Sequence, residues 1–268
     1  MNIDLNSDMG EGFGPYQIAD DAALMGLVSS ANVACGYHAG DPVIMDRTIR
    51  LAKDHGVDLG AHVSYPDRMG FGRRRIDMAL PELEAHVLYQ LGALAGLAAR
   101  ADHKVTHMNP HGALGNLASA DPATAEALVR ATRSFDPEIA FLVLPGSALD
   151  RAALAAGSRT VRLFLADRGY TPDGQLAPRS RQGAVIHDPD AVVSRVLKVI
   201  ETATVEAIDG TAIDMPVQSI LIHSDTAGAV RLAQTLRDAI ARAGGTITPL
   251  SQDSQRSGSS GQTLFRKD

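Results

Sequence analysis

The 268-residue chain has no tryptophan, only 5 tyrosines and 6 phenylalanines, and a single cysteine. So few rings leave little for bases to stack on, and the 25 Lys/Arg and 31 Asp/Glu are scattered rather than massed, with a net charge of −6. Nucleic acid is therefore not an expected partner. One cysteine excludes an internal disulfide framework and fits a reducing compartment. Cys35 itself reads either as a small buried apolar residue or as a nucleophile. No apolar run approaches the ~20 residues that span a bilayer, and the chain opens as a polar strand rather than a basic signal. The expectation is a cytoplasmic protein with no membrane role. No Pro/Gly/Ser-rich linker interrupts the middle, so residues 1–250 are expected to form one domain, followed by a polar tail over 251–268.

What is present starts at the N-terminus. Apolar and polar residues alternate from Ile3 to Asp8 and then give way to Gly10-Glu11-Gly12-Phe13-Gly14, which no strand or helix would choose. Side chains repeat every two residues along a strand, so Asp4, Asn6 and Asp8 share one face. Either that face belongs to a site, with Glu11 arriving from the loop, or it is the wet face of an edge strand.

The same pattern recurs down the chain. Asp20-Asp21 can cap a short apolar helix through Val28, and Ser30 to Ala34 then leads to Cys35-Gly36-Tyr37-His38-Ala39-Gly40-Asp41. Asp41-Pro42 is an N-cap followed by proline at the first helical position, and Gly56 closes that helix after His55. Val57 to Ala61 empties into His62 and then Gly70-Phe71-Gly72-Arg73-Arg74-Arg75, and a helix is expected over 81–101. Val105 to Met108 ends at Asn109-Pro110-His111-Gly112, with helix expected over 113–134. Phe141 to Leu144 and Thr160 to Leu165 are strands, the second ending at Asp167-Arg168. Residues 171–182 form a polar insertion carrying Arg179 and Arg181, and a helix follows over 189–202. Val205 to Ile213 reads as a hairpin turning at Asp209-Gly210. Ser219 to His223 is the last clear strand, with its helix over 226–243.

Seven apolar strands separated by helices predict a parallel α/β architecture, and a barrel or distorted barrel suits the length better than an open sheet. Loops at the carboxyl ends of such strands converge on one mouth, and these loops carry Asp8, His38, His62, His111, Asp167 and His223. Four histidines at strand ends point to a shared site; His55, His86, His103 and His187 lie on helices or connections and read as surface residues.

The motifs Asp4-Leu5-Asn6-Ser7-Asp8-Met9-Gly10-Glu11-Gly12, the run from Ser30 to Asp41, Gly60-Ala61-His62-Val63-Ser64-Tyr65-Pro66-Asp67, Pro110-His111-Gly112, Ala166-Asp167-Arg168-Gly169-Tyr170 and Pro178-Arg179-Ser180 resemble the LamB/YcsF family in order and spacing, from residue 1 to about 250. The resemblance implies a distorted seven-stranded β/α barrel of the kind found in sugar deacetylases. It also implies the activity of the A subunit of a bacterial 5-oxoprolinase, which opens 5-oxo-L-proline to L-glutamate while hydrolysing ATP, together with subunits B and C. Association of the chain with itself stays open.

Opening a lactam needs a base for water and donors for the developing charge. Asp8 and Glu11 are candidates for orienting water or a cation, and His38, His62 and His111 for carrying protons or ligating a metal, with Asp167 in the same catalytic set. Asn6, Asp41, Arg73, Arg74, Asn109, Arg168, Arg179 and His223 are the candidates for binding substrate or phosphate; Arg73 to Arg75 read equally as a solvated basic turn. The chain has no Walker A pattern, so ATP would bind without a P-loop. A divalent metal, Mg²⁺ or another, is the second expected cofactor, and a metal-dependent deacetylase-like hydrolase built on Asp8, His38 and His62 is the alternative activity. A further alternative is a catalytically reduced lactam-binding or scaffold member. It is prompted by Asn109 where the family usually has lysine, Gly115 where it has tyrosine, Leu163 where it has glutamate and Ser224 where it commonly has glycine.

Overall fold

The computed structural model describes residues 1–252. In chain order the strands are β1 (Asn2–Met9), β2 (Ser30–Ala34), β3 (Asp58–His62), β4 (Val105–Met108), β5 (Ala140–Val143), β6 (Thr160–Leu165), β7 (Thr204–Glu206), β8 (Ala212–Asp214), β9 (Ser219–Ile222) and β10 (Thr246–Ile247). β1 to β6 and β9 pair in parallel, and β9 also pairs with β1, which closes a seven-stranded barrel. β10 adds to β1 at its start, and β7 with β8 forms the expected antiparallel hairpin. Because β1 is paired on both sides, it is not an edge strand.

The helices are α1 (Asp21–Met25), α2 (Pro42–His55), α3 (Leu80–Arg100), α4 (Gly112–Ala120), α5 (Pro122–Phe135), α6 (Ala148–Ala155), α7 (Pro189–Thr202) and α8 (Ala229–Arg242). Three begin alike, with Asp41, Asp121 and Asp188 each capping a helix whose first residue is proline. The single helix expected over 113–134 is thus two helices. Pro122 has no N–H to continue α4, and the Asp121 carboxylate instead accepts from the Thr124 N–H at 2.8 Å. The short helix α6 was not expected, and α8 starts three residues later than the sequence suggests. Ser251 donates through its N–H and hydroxyl to the Asp58 carboxylate. Residues 253–268 lie outside the described residues.

The apolar core lies between the outer face of the barrel and the helices, where Leu5, Met9, Val33, Leu59 and Met108 pack. The inner face is polar and layered by register. Asp4 stands opposite Ser219, Asn6 opposite Ser30, and Asp8, Asn32 and Gly60 form a row that continues to His107. Gly60 is required there: a Cβ at this position would lie 2.1 Å from His107 Nε2, so the missing side chain makes room for the imidazole.

Candidate active site

Four side chains meet above the Asp8 layer, each delivered by the end of a different strand. Glu11 comes from the loop after β1, His38 from the loop after β2, His62 from the last position of β3 and His111 from the turn after β4. All four are buried. His38 Nε2 lies 3.0 Å from Glu11 Oε1, His111 Nδ1 lies 3.6 Å from the same oxygen, and His62 Nε2 is 3.9 Å from it. His62 Nε2 and His111 Nδ1 are 2.9 Å apart, and Asp8 Oδ1 is 3.4 Å from His62 Nε2. The His38 and His111 rings stack, with centroids 3.9 Å apart.

The loop from Asp67 to Arg74 walls this cluster. Phe71 adopts φ 54°, unusual for a residue with a side chain, and packs its ring edge-on against His38 and His111. Its carbonyl accepts from His111 Nε2 at 2.8 Å. Gly72, at φ +64°, lies so close that a Cβ would stand 2.8 Å from His38 Cβ and 2.9 Å from His111 Cδ2. Burial sets the protonation of the cluster: it pushes Glu11 well above the usual carboxylate range, helped by the Asp8 charge. Burial also pulls His38, His62 and His111 down, with the other imidazoles adding to the effect for His38 and His111.

Asp8 is held from below. Asn32 Nδ2 donates to Asp8 Oδ1 at 3.0 Å and to Asn6 Oδ1 at 3.1 Å, while Asn32 Oδ1 lies 3.1 Å from His107 Nε2. Burial pushes the His107 pKa down to about 3, so the ring is neutral. It donates from Nε2 to Asn32, and that bond fixes which end of the Asn32 amide faces Asp8. Asn32 and His107 were missed as site residues in the sequence. For Asn32 the signal was available in the period of two, which places it on the inner face with Ser30; for His107 it was not, because a register shift in the β3–β4 pairing carries Val105 to the outer face beside Leu59 and His107 to the inner face beside Gly60.

A cavity of about 540 Å³ opens in front of Asp8, His62 and His111. Across it stand Arg73, Arg168, Arg179 and His223. Arg73 pairs with Asp225 at 2.6 Å. Arg168 donates to the Ala184 and Ala177 carbonyls, and burial with the nearby Arg179 lowers its pKa to about 10. His223 Nδ1 is 2.7 Å from Asp167 Oδ1, and Thr226 donates to the other Asp167 oxygen. Burial opposes charge on both members of this pair, but their mutual attraction outweighs it, so Asp167 is held low and His223 raised.

Asn109 and Leu163 line the same cavity, with Leu142, Leu165 and Leu221. Other candidates lie elsewhere. Asn6 sits below Asp8 inside the barrel. Asp41 is occupied as the cap of α2, accepting from the Val43, Ile44 and Gly14 N–H groups. Arg74 is taken up by Asp67 and is not part of the cavity lining. Cys35 is buried and its thiol pKa is pushed by burial to about 12, which fits the small apolar role.

The LamB/YcsF family profile matches residues 3–255. The chain belongs to the LamB/YcsF family. It is 52% identical over 252 residues to a Pseudomonas syringae pv. tomato protein named as the first of that organism's 5-oxoprolinase A subunits, covering 94% of this chain and 98% of that one. It is also 52% identical to the second 5-oxoprolinase A subunit of Ralstonia nicotianae, covering 94% and 97%. The crystal structure of a lactam utilization protein from Thermus thermophilus superposes with a TM-score of 0.88 at 40% identity, covering 93% of this chain and all of that one. The superposition over 93% of this chain agrees with the seven-stranded barrel.

Proposed function

We propose that this LamB/YcsF chain is the A subunit of a 5-oxoprolinase, opening the lactam of 5-oxo-L-proline to L-glutamate with hydrolysis of ATP in company with subunits B and C. The names of relatives at about half identity over nearly the whole chain support the reaction class. The observation that carries the reading is the cavity in which Asp8, His62 and His111 face a wall of Arg73, Arg168, Arg179 and His223. A small cyclic amide bearing a carboxylate needs both walls. The guanidinium groups and His223 suit the carboxylate and the phosphoryl group transferred from ATP. The lactam amide is stabilised by resonance, and phosphorylation of its oxygen by ATP makes the carbon electrophilic. Water then adds to that carbon, its proton going to Asp8; the C–N bond breaks and the ring nitrogen, protonated, leaves as the amine, giving an acyl phosphate that a second water cleaves to the carboxylate and inorganic phosphate. Asp167 favours the protonated form of His223, which would set a positive charge beside the cavity.

The test is release of glutamate and phosphate by this chain, its own B and C partners, ATP and 5-oxoproline. Equal release of both products supports the reading, and a correctly assembled complex that releases neither rejects it. A second reading, a lactam-binding member with reduced turnover, is favoured by the uncharged pair Asn109 and Leu163 in the cavity wall. Under it, calorimetry shows 5-oxoproline binding with no product; no binding would reject it.

A further inference from the structure

Two backbone carbonyls decide where the protons of the central imidazoles sit. A carbonyl only accepts, so His62 Nδ1, 2.8 Å from the Asn109 oxygen, carries a hydrogen, and so does His111 Nε2, 2.8 Å from the Phe71 oxygen. In the neutral rings the other nitrogens, His62 Nε2 and His111 Nδ1, are therefore bare lone pairs. These two lone pairs point at each other across 2.9 Å, with Asp8 Oδ1 and Glu11 Oε1 beside them. At the point between His62 Nε2 and His111 Nδ1 two acceptors face each other with no hydrogen between them. His38 joins the group from the other side, its Nε2 3.0 Å from Glu11 Oε1.

We infer that this point is a site for one divalent transition-metal ion of the zinc class, held by His38, His62, His111 and Glu11. One donor atom from each residue lies within 4.8 Å of all the others. With metal–ligand bonds of about 2.0–2.1 Å, a tetrahedral site has ligand atoms about 3.3 Å apart. The separations here of 2.9, 3.0, 3.6 and 3.9 Å bracket that edge. Ligating histidines characteristically donate their second N–H to a carbonyl or carboxylate, which fixes the tautomer and ring orientation, and His62 and His111 already do so. Three imidazoles and one carboxylate select zinc, iron, cobalt, nickel or manganese over Mg²⁺, which prefers an octahedron of oxygens. His62, His111 and Asp8 line the cavity whereas Glu11 and His38 do not, so a fifth ligand, water or substrate, would reach such an ion from the cavity side. A water bound there as a fifth ligand would have its pKa lowered by the ion, and Asp8, 3.4 Å from His62 Nε2, would be placed to take its proton. That role rests on the lactam reading; the binding of the ion does not.

The experiment is metal binding by the whole chain. Protein stripped with chelator and titrated with Zn²⁺ is expected to retain one equivalent through gel filtration and to gain thermal stability. Titration with Co²⁺ is expected to produce the visible bands of a four- or five-coordinate nitrogen-rich site. His62→Gln and Glu11→Gln, each checked for native circular dichroism, are expected to weaken Zn²⁺ binding at least tenfold, the range for a disturbed site. His86→Gln, on an outer helix, is expected to bind as wild type does. Retention of less than a tenth of an equivalent overturns the inference, as does undiminished binding in both variants, which marks an adventitious ion only. A preference for Mg²⁺ over Zn²⁺ overturns it too. Wild-type protein with no bound metal and one shared proton between His62 and His111, seen by nitrogen NMR, assigns the gap to that proton instead. Stoichiometric zinc with no glutamate release leaves the ion site standing and removes the lactam reading.

Discussion

The two ends of the barrel interior are both polar and both buried, yet they are built on opposite rules. At the bottom, Asp4 accepts from Ser29, Ser30 and Ser219, and Ser219 also accepts from Asn6 at 2.7 Å. Donors and acceptors are matched, although burial still pushes the Asp4 pKa up to about 6. At the mouth, acceptors outnumber donors and the nearest nitrogens oppose one another. Buried polar groups in folded proteins are nearly always paired, so a satisfied network is read as architecture and an unsatisfied one as a place where something else binds. The difference separates the stability of this protein from its chemistry and says which substitutions should affect which.

The largest expected effect is at the layer between the two ends. Gly60→Ala drives a methyl into the His107 ring and is expected to cost about 3 kcal/mol, the upper end for overpacking, as read by urea unfolding. At the bottom, Ser219→Ala leaves Asp4 and Asn6 each short of a partner and should cost about 1–3 kcal/mol of stability. His62→Gln at the mouth removes one buried hydrogen bond, to the Asn109 carbonyl, but also the opposition of two nitrogen lone pairs, and should cost no more than about 1 kcal/mol in the absence of metal. Equal losses at the two ends would erase the contrast.

Acid sharpens the same contrast. His107 has a folded-state pKa of about 3, below the 6.5 of an unperturbed imidazole, so the unfolded chain binds the extra proton. Its contribution to stability is present above pH 6.5 and is lost as pH falls towards 3, at about 1.4 kcal/mol per pH unit inside that window. Asp4 runs the other way: its carboxyl is raised, so its contribution is present below pH 3.8 and is lost as pH rises through about 6. His107→Gln is expected to flatten the acid limb of unfolding curves measured from pH 6.5 to pH 5, by up to about 2 kcal/mol over that span. A limb with unchanged slope would contradict the neutral, buried assignment.

The smallest effect concerns the cavity wall. Asn109→Lys alone places an ammonium beside Leu142, Leu163 and Leu165, and Leu163→Glu alone places a carboxylate there. Together they are expected to recover about 1 kcal/mol relative to the sum of the single changes, measured as stability and as turnover in a double-mutant cycle. Strict additivity would show the two positions to be independent.

Much of this was legible in the residues. The alternation in β1 placed Asp4, Asn6 and Asp8 on one inner face, and His38, His62, His111 and His223 were each visible as a histidine where an apolar strand ends. Local signals could not show that Glu11 is shared by three imidazoles, because those contacts span 27 to 100 positions of chain. His107 was passed over because an imidazole inside a barrel is plausible only once Gly60 on the next strand vacates the space. Arg74 had the right chemistry for an anion site and Asp41 for a polar contact to substrate, but Asp41 is used by the cap of α2 and Arg74 by Asp67. The split of α4 from α5 was written in Asp121-Pro122, the same signal that marks α2. The two-residue β10 is too short to carry a period at all.

The central claim is that the mouth is chemistry rather than architecture, and Asp8→Asn tests it most directly. Asparagine keeps the shape and a side-chain oxygen but has no carboxylate to take a proton from water. With B and C partners, ATP and 5-oxoproline, its glutamate release is expected to fall at least about 100-fold, as for loss of a general base, while its unfolding free energy stays within about 1 kcal/mol of wild type. Undiminished turnover in a folded Asp8→Asn chain, or a loss of folding in place of turnover, would contradict the account.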